Sequence, residues 1–336
     1  MGKAMGTPSD RLRIAIIGAG VVAANHARAF ASNPDAQLVA VADVDARKGE
    51  AMAAQYGAEF FRDYHDLFRR ARLDAVSVCV PHDLHRDVGF AAAQTGLHIL
   101  MEKPITIALD DADQMLEACA RARVLMMVGF VHRFREEQLT AKRFIDDRAI
   151  GKPMHILDSI CTRGGQHPPA WVWRRSKAGG GVLMYGGIHS IDRLRWLMGS
   201  EVREVYAQKL LYSNSGEVDV EDGLSAVLIF KSGGLGNLFE NSPAYGNPGG
   251  WLTEVYGDSG AIRVKNGGWL EITRPGSQET LSFDPYDHFQ REIDEFVAAI
   301  KDRRQPWITG EDGRQALAVA QAIYRSAESG RPVTVS

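Results

Sequence analysis

A glycine turn near the N-terminus constrains the fold more than any other feature. The apolar run Arg13–Ile17 leads directly into Gly18-Ala19-Gly20-Val21-Val22-Ala23, after which a helical pattern begins. In a GxGxxA turn the first glycine permits a tight bend, the second lets backbone approach a pyrophosphate, and the small third residue lets the helix pack on the strand. The helix N-terminus then faces the phosphates. The residues predicted to line this cofactor turn are Gly18, Gly20, Val21 and Val22.

Asp43 strengthens the interpretation of the turn as a dinucleotide site. It follows Gly18 by 25 residues, at the end of the apolar run Leu38–Ala42. A carboxylate there accepts hydrogen bonds from ribose hydroxyls and repels a 2′-phosphate, which favours NAD over NADP. The alternatives are a solvated aspartate at a strand end, and a role for Arg47, whose guanidinium can hold a 2′-phosphate. The sequence predicts NAD and leaves NADP open.

Short apolar runs alternate with amphipathic stretches over residues 11–133, as in βαβ units. The predicted strands are Arg13–Ile17, Leu38–Ala42, Ala75–Val80, His98–Met101 and Leu125–Val128. The predicted helices are Ala23–Ser32, Ala46–Tyr56, His85–Thr95 and Leu109–Arg121. Five such strands predict an α/β fold with an N-terminal, doubly wound parallel sheet of the Rossmann type.

The rhythm changes over residues 134–336, where longer alternating segments predict a C-terminal α+β domain with a large, mainly antiparallel sheet. The predicted strands are Met154–Cys161, Glu204–Leu211, Leu224–Phe230, Leu235–Glu240, Thr253–Tyr256 and Ala261–Val264. The predicted helices are Arg135–Asp147, Ile188–Met198, Phe289–Lys301 and Glu311–Ser329. Residues 1–10 are expected to be a flexible N-terminus.

Composition narrows the partner classes. A chain of 336 residues that is 45% hydrophobic can bury two cores. Its formal net charge of −3, without a block of one sign, favours a small-molecule substrate over nucleic acid or a membrane surface. Three scattered cysteines, no signal peptide and no run of ~20 apolar residues predict reduced thiols and a cytoplasmic protein.

Motifs along nearly the whole chain carry a family resemblance. The tripeptide Glu102-Lys103-Pro104 follows the strand His98–Met101. Further matches are Pro81-His82-Asp83-Leu84-His85, Gly129 to Phe134, Ala149-Ile150-Gly151, Gly179-Gly180-Gly181 with Gly187-Ile188-His189, and Gly310-Glu311-Asp312-Gly313. With these motifs the chain resembles the Gfo/Idh/MocA family, named after glucose–fructose oxidoreductase and inositol dehydrogenase. The resemblance implies a nicotinamide between two domains, hydride exchange with a carbohydrate or cyclitol carbon, and homodimers or homotetramers formed through the open face of the C-terminal sheet.

The resemblance also implies roles for individual residues. Lys103 corresponds to the catalytic-site lysine, with Pro104 often after a cis peptide, and His189 corresponds to the active-site histidine. Two positions depart from the family pattern: Tyr185 replaces an aspartate four residues before the histidine, and His82 replaces the asparagine of Pro-Asn-x-x-His. The residues expected on the cofactor side are Pro81, His82, His85, Glu102 and Lys103.

Hydride transfer from a carbinol needs a group that takes the hydroxyl proton and a donor that steadies the reacting oxygen. The Lys103 ammonium suits the second role, and His189 suits the first, because an imidazole has a reference pKa of ~6.5. Tyr185 lies four residues before His189, on the same face if one helix holds both. A phenol with a pKa of ~10 mainly donates, so the replacement of the aspartate makes Tyr185 a candidate for proton transfer. A buried structural histidine and a surface lysine are the alternatives.

Other polar residues admit two interpretations each. The segment Gln166–Arg174 combines prolines and aromatics that can wall a sugar site, best through Trp173 and Arg174, or form core. Asp192 either orients His189 or pairs with Arg193 or Arg195. Arg133 either contacts substrate or holds the domain junction. His82 and His85 suggest a metal by spacing, but no cluster completes a first shell, so no metal is predicted.

These inferences predict an NAD-linked oxidoreductase acting on a secondary alcohol or ketone of a sugar, sugar derivative or cyclitol. One rival is an NAD-retaining enzyme of the glycosidase or lyase type, which oxidises a sugar carbon transiently. Another is a non-catalytic NAD(H) or sugar sensor, which would need neither Lys103 nor His189.

Overall fold

The computed structural model describes residues 11–161, 169–211, 218–241 and 250–336. The chain divides into two compact units. The first unit comprises residues up to 131 together with 287–314, and the second comprises 132–286 together with 315–336. The predicted flexible N-terminus, and residues 166–168 of the predicted sugar-site wall, lie outside the described residues.

Six strands and five helices alternate in the N-terminal part of the first unit. They are β1 (Leu12–Ile17), α1 (Val21–Ser32), β2 (Ala36–Ala42), α2 (Ala46–Tyr56), β3 (Glu59–Phe61), α3 (Tyr64–Arg70), β4 (Ala75–Val78), α4 (His85–Gln94), β5 (His98–Met101), α5 (Leu109–Ala122) and β6 (Met126–Val128). The strands pair in parallel in the order β3-β2-β1-β4-β5-β6. The predicted Rossmann sheet is therefore confirmed, with β3 and α3 added. Both additions are short, and β3 has only three residues, too few to show a period.

The strand order reverses between β1 and β4, and ligands of doubly wound sheets bind outside the carboxyl ends of the strands at such a point. The segments that follow β1, β4 and β5 are therefore the ones to inspect for a cofactor site.

Residues 132–336 contain the remaining elements. They are α6 (Glu136–Asp146), β7 (Pro153–Cys161), α7 (Arg175–Ala178), α8 (Ile188–Met198), β8 (Val202–Leu210), β9 (Gly223–Phe230), β10 (Leu235–Asn241), β11 (Gly250–Gly257), β12 (Ala261–Lys265), β13 (Trp269–Arg274), β14 (Ser277–Ser282), α9 (His288–Lys301), α10 (Gly310–Ser329) and β15 (Val333–Thr334). The nine strands form one sheet in the order β14-β13-β12-β11-β7-β10-β9-β8-β15. Only β7 and β10 pair in parallel, so the predicted mainly antiparallel sheet is confirmed.

The sheet of the second unit has two different faces. Along β9 the buried residues Leu224, Ala226 and Leu228 alternate with more exposed ones, as expected for a strand covered on one side. On the open face, register places Tyr206 of β8 opposite Val227 of β9, and both are exposed. Apolar side chains thus remain uncovered on adjacent strands of this face.

The segment 287–314 belongs to the first unit, whereas the sequence pattern predicts it within a C-terminal domain over 134–336. The reason is the packing of α9 on α1. The Gln290 side-chain amide donates to the carbonyl of Ala29 (3.1 Å), and the Asn33 side-chain amide donates to the carboxylate of Asp294 (2.7 Å). An amphipathic helix does not reveal from its own residues which sheet it covers. Within the described ranges, no helix combines the length and apolarity needed to cross a membrane.

Candidate functional site

Glycine is needed at positions 18 and 20 of the first turn for different structural reasons. Gly18 has φ +92°, and a Cβ there would lie 2.4 Å from the carbonyl oxygen of Cys79, so only glycine fits. At Gly20 a Cβ would meet no protein atom within 4 Å. Packing therefore does not explain Gly20, whereas close approach of a ligand to its backbone does. The helix α1 begins at the next residue, Val21, which is 83% exposed.

Asp43 lies directly beside this turn, as the sequence predicts. Its Oδ2 accepts a hydrogen bond from the Ala19 backbone N–H (2.6 Å), and its Oδ1 accepts from the Asp45 backbone N–H (2.7 Å). Both oxygens keep lone pairs for further donors such as ribose hydroxyls. A fixed carboxylate, an open glycine and a free helix start fit a dinucleotide with an unmodified ribose. Arg47 lies exposed in the first turn of α2.

Two of the residues that follow β4, His82 and His85, are buried. Pro81 is half-buried, and His82 begins a short 3₁₀ turn with its side chain buried. His85 is completely buried, with Nδ1 2.7 Å from the Pro104 carbonyl oxygen and Nε2 3.0 Å from the Val80 carbonyl oxygen. Backbone carbonyl oxygens thus face both ring nitrogens, and His85 links the segments that follow β4 and β5. The sequence analysis instead places His85 on the cofactor side.

Lys103 follows β5 at the same edge of the sheet, and the Lys103–Pro104 peptide is cis, as the resemblance implies. The Glu102 side chain is buried, and its Oε2 accepts from the Lys103 backbone N–H (3.2 Å). Burial lowers the pKa of Lys103, while the Glu102 carboxylate opposes this by raising it. The environment thus brings the ammonium closer to titration near neutral pH than a surface lysine would be.

Glu102 also belongs to a buried acid cluster, which we define as His26, Glu102 and Glu292. His26 Nε2 is 3.3 Å from Glu102 Oε1 and 3.5 Å from Glu292 Oε2, and its Nδ1 is 2.7 Å from the Ser77 hydroxyl. Burial opposes the charge of His26, but Cys79 and the two carboxylates raise its pKa well above the ordinary value.

The two carboxyl groups of the acid cluster differ. Burial raises the pKa of Glu102, but the interactions with His26 and Lys103 outweigh it and lower that pKa. At Glu292 burial dominates and raises the pKa to about 7. No local sequence pattern indicates this cluster, because its members come from α1, from the residue after β5 and from α9.

In the second unit, Tyr185 and His189 lie on either side of a change in helix type. Tyr185 belongs to a π-helical turn, Leu183–Gly187, and α8 begins at Ile188. The prediction that they share one face assumes one continuous α-helix, and the π turn breaks that spacing. Tyr185 is half-buried and His189 is buried, with 6% of its surface exposed.

The glycine run before Tyr185 serves internal packing. A Cβ at Gly180 would lie 1.9 Å from the Tyr324 hydroxyl, and one at Gly181 would lie 1.8 Å from the Glu221 carbonyl oxygen. The Glu221 carboxylate also accepts from the backbone N–H groups of Gly181 (3.0 Å) and Leu183 (3.1 Å) and from the Tyr324 hydroxyl (2.8 Å). The sequence suggests that these glycines approach a ligand, whereas the structure ties them to Glu221 and Tyr324.

Asp192 and Arg133 hold each other. Arg133 donates through Nε (2.8 Å) and Nη2 (2.5 Å) to the two carboxylate oxygens of Asp192, and both side chains are buried. Arg195 is 3.9 Å from the same carboxylate, and Arg193 pairs with Asp158 instead. Asp192 therefore anchors Arg133, an arrangement that the sequence does not indicate.

Two candidates for the wall of a sugar site, Trp173 and Arg174, lie next to each other in the second unit. Trp173 ends a 3₁₀ turn and is half-buried, and Arg174 is exposed. Among the described residues, no group of three or more His, Cys, Asp or Glu side chains is arranged to hold a metal ion.

Comparisons with known proteins agree with this architecture. The pattern of the family described as "Oxidoreductase family, NAD-binding Rossmann fold" matches residues 12–130, and that of its C-terminal alpha/beta domain matches residues 142–335. Myo-inositol 2-dehydrogenase of Thermotoga maritima is 32% identical over 96% of this chain and 98% of its own, and inositol 2-dehydrogenase of Rhizobium meliloti is 31% identical over 97% and 99%.

A solved structure extends the comparison to three dimensions. The crystal structure of aldose-aldose oxidoreductase from Caulobacter crescentus superposes with a TM-score of 0.88 at 27% identity, covering 96% of this chain and 99% of the other. The two family patterns thus cover both parts of the chain, and relatives above 30% identity match it over nearly its full length. The chain belongs to the Gfo/Idh/MocA family of NAD-dependent oxidoreductases.

Proposed function

We propose that this enzyme oxidises a secondary alcohol of a sugar, sugar derivative or cyclitol, or reduces the corresponding ketone, with NAD(H) as the hydride carrier. The observation that carries the proposal is Lys103, a half-buried lysine whose pKa is lowered by burial. It follows β5 at the same edge of the sheet as the glycine turn after β1 and Asp43 after β2. The names of the relatives, two inositol 2-dehydrogenases and an aldose-aldose oxidoreductase, support a polyhydroxylated substrate.

Bound NAD would supply a nicotinamide that exchanges hydride with the carbinol carbon. The residues proposed to bind the cofactor are Gly18, Gly20, Val21, Val22, Asp43, Pro81, His82, Glu102 and Lys103. On the reacting carbinol, the Lys103 ammonium donates a hydrogen bond to the oxygen and stabilises the charge that develops there. His189 takes the hydroxyl proton as the carbonyl forms.

Further residues are proposed to contact the substrate: Trp173, Arg174, Tyr185 and His189. Tyr185 either assists proton transfer through its hydroxyl or lines the sugar pocket. Trp173 stacks on the C–H face of a sugar, and Arg174 donates to its hydroxyls.

A substrate panel tests the proposal. Purified enzyme is incubated with inositols, aldoses, sugar acids and anhydrosugars, each with NAD and with NADP, while reduced nicotinamide is followed at 340 nm. Turnover with at least one polyol and preference for NAD are expected. Absence of turnover across the panel, in both reaction directions, would contradict the proposed substrate class.

A second candidate function is a cofactor-retaining reaction. Support comes from the name of the Caulobacter protein, aldose-aldose oxidoreductase, which names two aldoses and no nicotinamide cofactor. Tyr185, where the family pattern has an acid, is a second reason to consider altered proton chemistry. Such an enzyme would keep NAD(H) through purification and convert substrate without accumulating NADH, whereas a dehydrogenase would release NADH in proportion to product.

Assembly and location complete the proposal. Two copies pack through the open face of the second unit's sheet, giving a homodimer or homotetramer. Support comes from exposed apolar side chains on three neighbouring strands of that face: Tyr206 of β8, Val227 of β9, and Leu235 and Phe239 of β10. Apolar surface of this kind is usually covered by a partner, and closed symmetric oligomers are the common solution. A cytoplasmic location fits the reduced thiols Cys79, Cys119 and Cys161.

A further inference from the structure

His132 is a buried histidine of the second unit that contacts His189 directly. The two imidazole rings stack with centroids 4.0 Å apart and planes 15° from parallel. Trp251 packs against His132 as well, with ring centroids 4.2 Å apart. Only 5% of His132 is exposed, so its surroundings restrict the movement of the ring. His189 therefore stacks on a ring that is itself held in place.

Arg193 determines which nitrogen of His132 carries the proton. Its Nη1 lies 2.6 Å from His132 Nδ1. A guanidinium has donors and no acceptor, so Nδ1 must accept, and the proton of the neutral ring then sits on Nε2. Protonation of Nδ1 would place two donors against each other in a buried site, which disfavours the charged ring.

Arg193 is in turn fixed by a carboxylate. It is completely buried and donates through Nε (2.9 Å) and Nη2 (2.7 Å) to Asp158, which also accepts from the Thr253 hydroxyl (2.7 Å). Glu240, the other carboxyl group that faces Arg193, has its pKa raised well above the ordinary value by burial and by Asp158. Burial thus favours the neutral form of Glu240, whereas Asp158 is the carboxylate that accepts hydrogen bonds from Arg193.

We propose that His132 is a positioning residue for His189: the buried series Asp158, Arg193 and His132 fixes the plane of the His189 ring and keeps the ring stacked on it uncharged. The proposal rests on the proposed role of His189 as the proton acceptor. An uncharged neighbour matters because a second imidazolium 4 Å away would oppose the charge that His189 gains when it takes the proton.

Two substitutions separate stacking from hydrogen bonding. His132→Asn keeps an acceptor at the position of Nδ1 but removes the ring, and His132→Phe keeps the ring but removes the acceptor. We expect His132→Asn to lower kcat by about 10- to 100-fold with little change in the KM for NAD, because displacement of a catalytic group costs turnover more than cofactor binding. His132→Phe should recover part of this loss. The control is His65→Asn, the same change at an exposed histidine of α3, which should leave kcat unchanged.

Nitrogen-15 NMR of histidine-labelled protein provides a readout that does not depend on turnover. We expect the wild-type His132 signals, assigned with the two variants, to show the neutral Nε2–H tautomer from pH 6 to 9. A charged ring or an Nδ1–H tautomer would overturn the proposal, as would normal kcat in His132→Asn with only a lower melting temperature. His189→Ala is measured alongside: if it retains turnover, the proposed role of His189 fails, whereas the tautomer of His132 still reports on the buried series.

Discussion

Replacing Glu292 with glutamine tests whether the acid cluster of His26, Glu102 and Glu292 contains a carboxyl group with a raised pKa. Burial raises the pKa of Glu292 from its ordinary 4.5 to about 7, against the opposing effect of His26. The folded state then binds this proton more tightly than the unfolded state does. The resulting stabilisation is complete below pH 4.5 and is lost as the pH rises from 4.5 to about 7. At 1.36 kcal/mol per pKa unit, the full change in unfolding free energy is about 3 kcal/mol.

Glutamine keeps the shape of the side chain but does not titrate. Between pH 4.5 and 6.5 the unfolding free energy of Glu292→Gln should therefore fall less with pH than that of the wild type, and the difference should approach about 3 kcal/mol by pH 7. His26 affects a higher range, because its raised pKa gives stability that is complete below pH 6.5 and is lost only as the pH passes through the folded value.

Urea unfolding followed by circular dichroism at pH 5, 6, 7 and 8 measures the effect of the substitution. Glu50→Gln is the matched control, since it makes the same change at an exposed glutamate of α2. It should leave the pH dependence almost as in the wild type. Parallel curves for the wild type and Glu292→Gln would refute the assignment of a buried carboxyl group that titrates in this range.

Three further predictions address the cofactor, the chemistry and the assembly. Asp43→Ala should weaken NAD binding in calorimetric titration and reduce the discrimination against NADP; unchanged NAD affinity would remove Asp43 from the site. Lys103→Ala should lower kcat by ~100-fold or more with NAD affinity nearly intact, and a comparable loss in Tyr185→Phe would identify the phenol as a proton-transfer partner. Should Lys103→Ala turn over normally, the proposed stabilisation of the reacting oxygen is wrong. Light scattering should find a dimer or tetramer at micromolar concentration, and a monomer would contradict packing through the open sheet face.

Local physical requirements account for what the sequence could predict. Gly18 is recognisable because the turn after β1 needs a positive φ at that position. Asp43 is recognisable because a dinucleotide site needs an acid at the end of the next strand, where its carboxylate contacts the turn. The alternation of β9 likewise indicates a sheet with one open face. Lys103 and His189 are found only through family motifs, because a lysine before proline or a histidine at a helix start is common in proteins that use neither for catalysis.

The missed features are contacts between distant parts of the chain. His26 of α1 meets Glu292 of α9, and no periodicity in either helix indicates that partner. Asp192 has two arginines near it in sequence but pairs with Arg133, because the fold and not the spacing decides which cation reaches it. The π turn before α8 is likewise not indicated by its own residues, and Glu221, which accepts from its Leu183 backbone N–H, lies far along the chain.

The first unit is built from two stretches, up to residue 131 and 287–314, and this affects how the chain can mature. On the ribosome β1 to β6 emerge first. The contacts of α1 with α9, including that of His26 with Glu292, form only after the second stretch has been synthesised. A product that stops before residue 287 therefore carries the glycine turn and Asp43 yet lacks the helix that covers α1. An isolated cofactor-binding fragment should accordingly join residues 11–131 to 287–314, because a cut at residue 133 removes α9 and leaves the side of α1 that carries His26 and Asn33 in water.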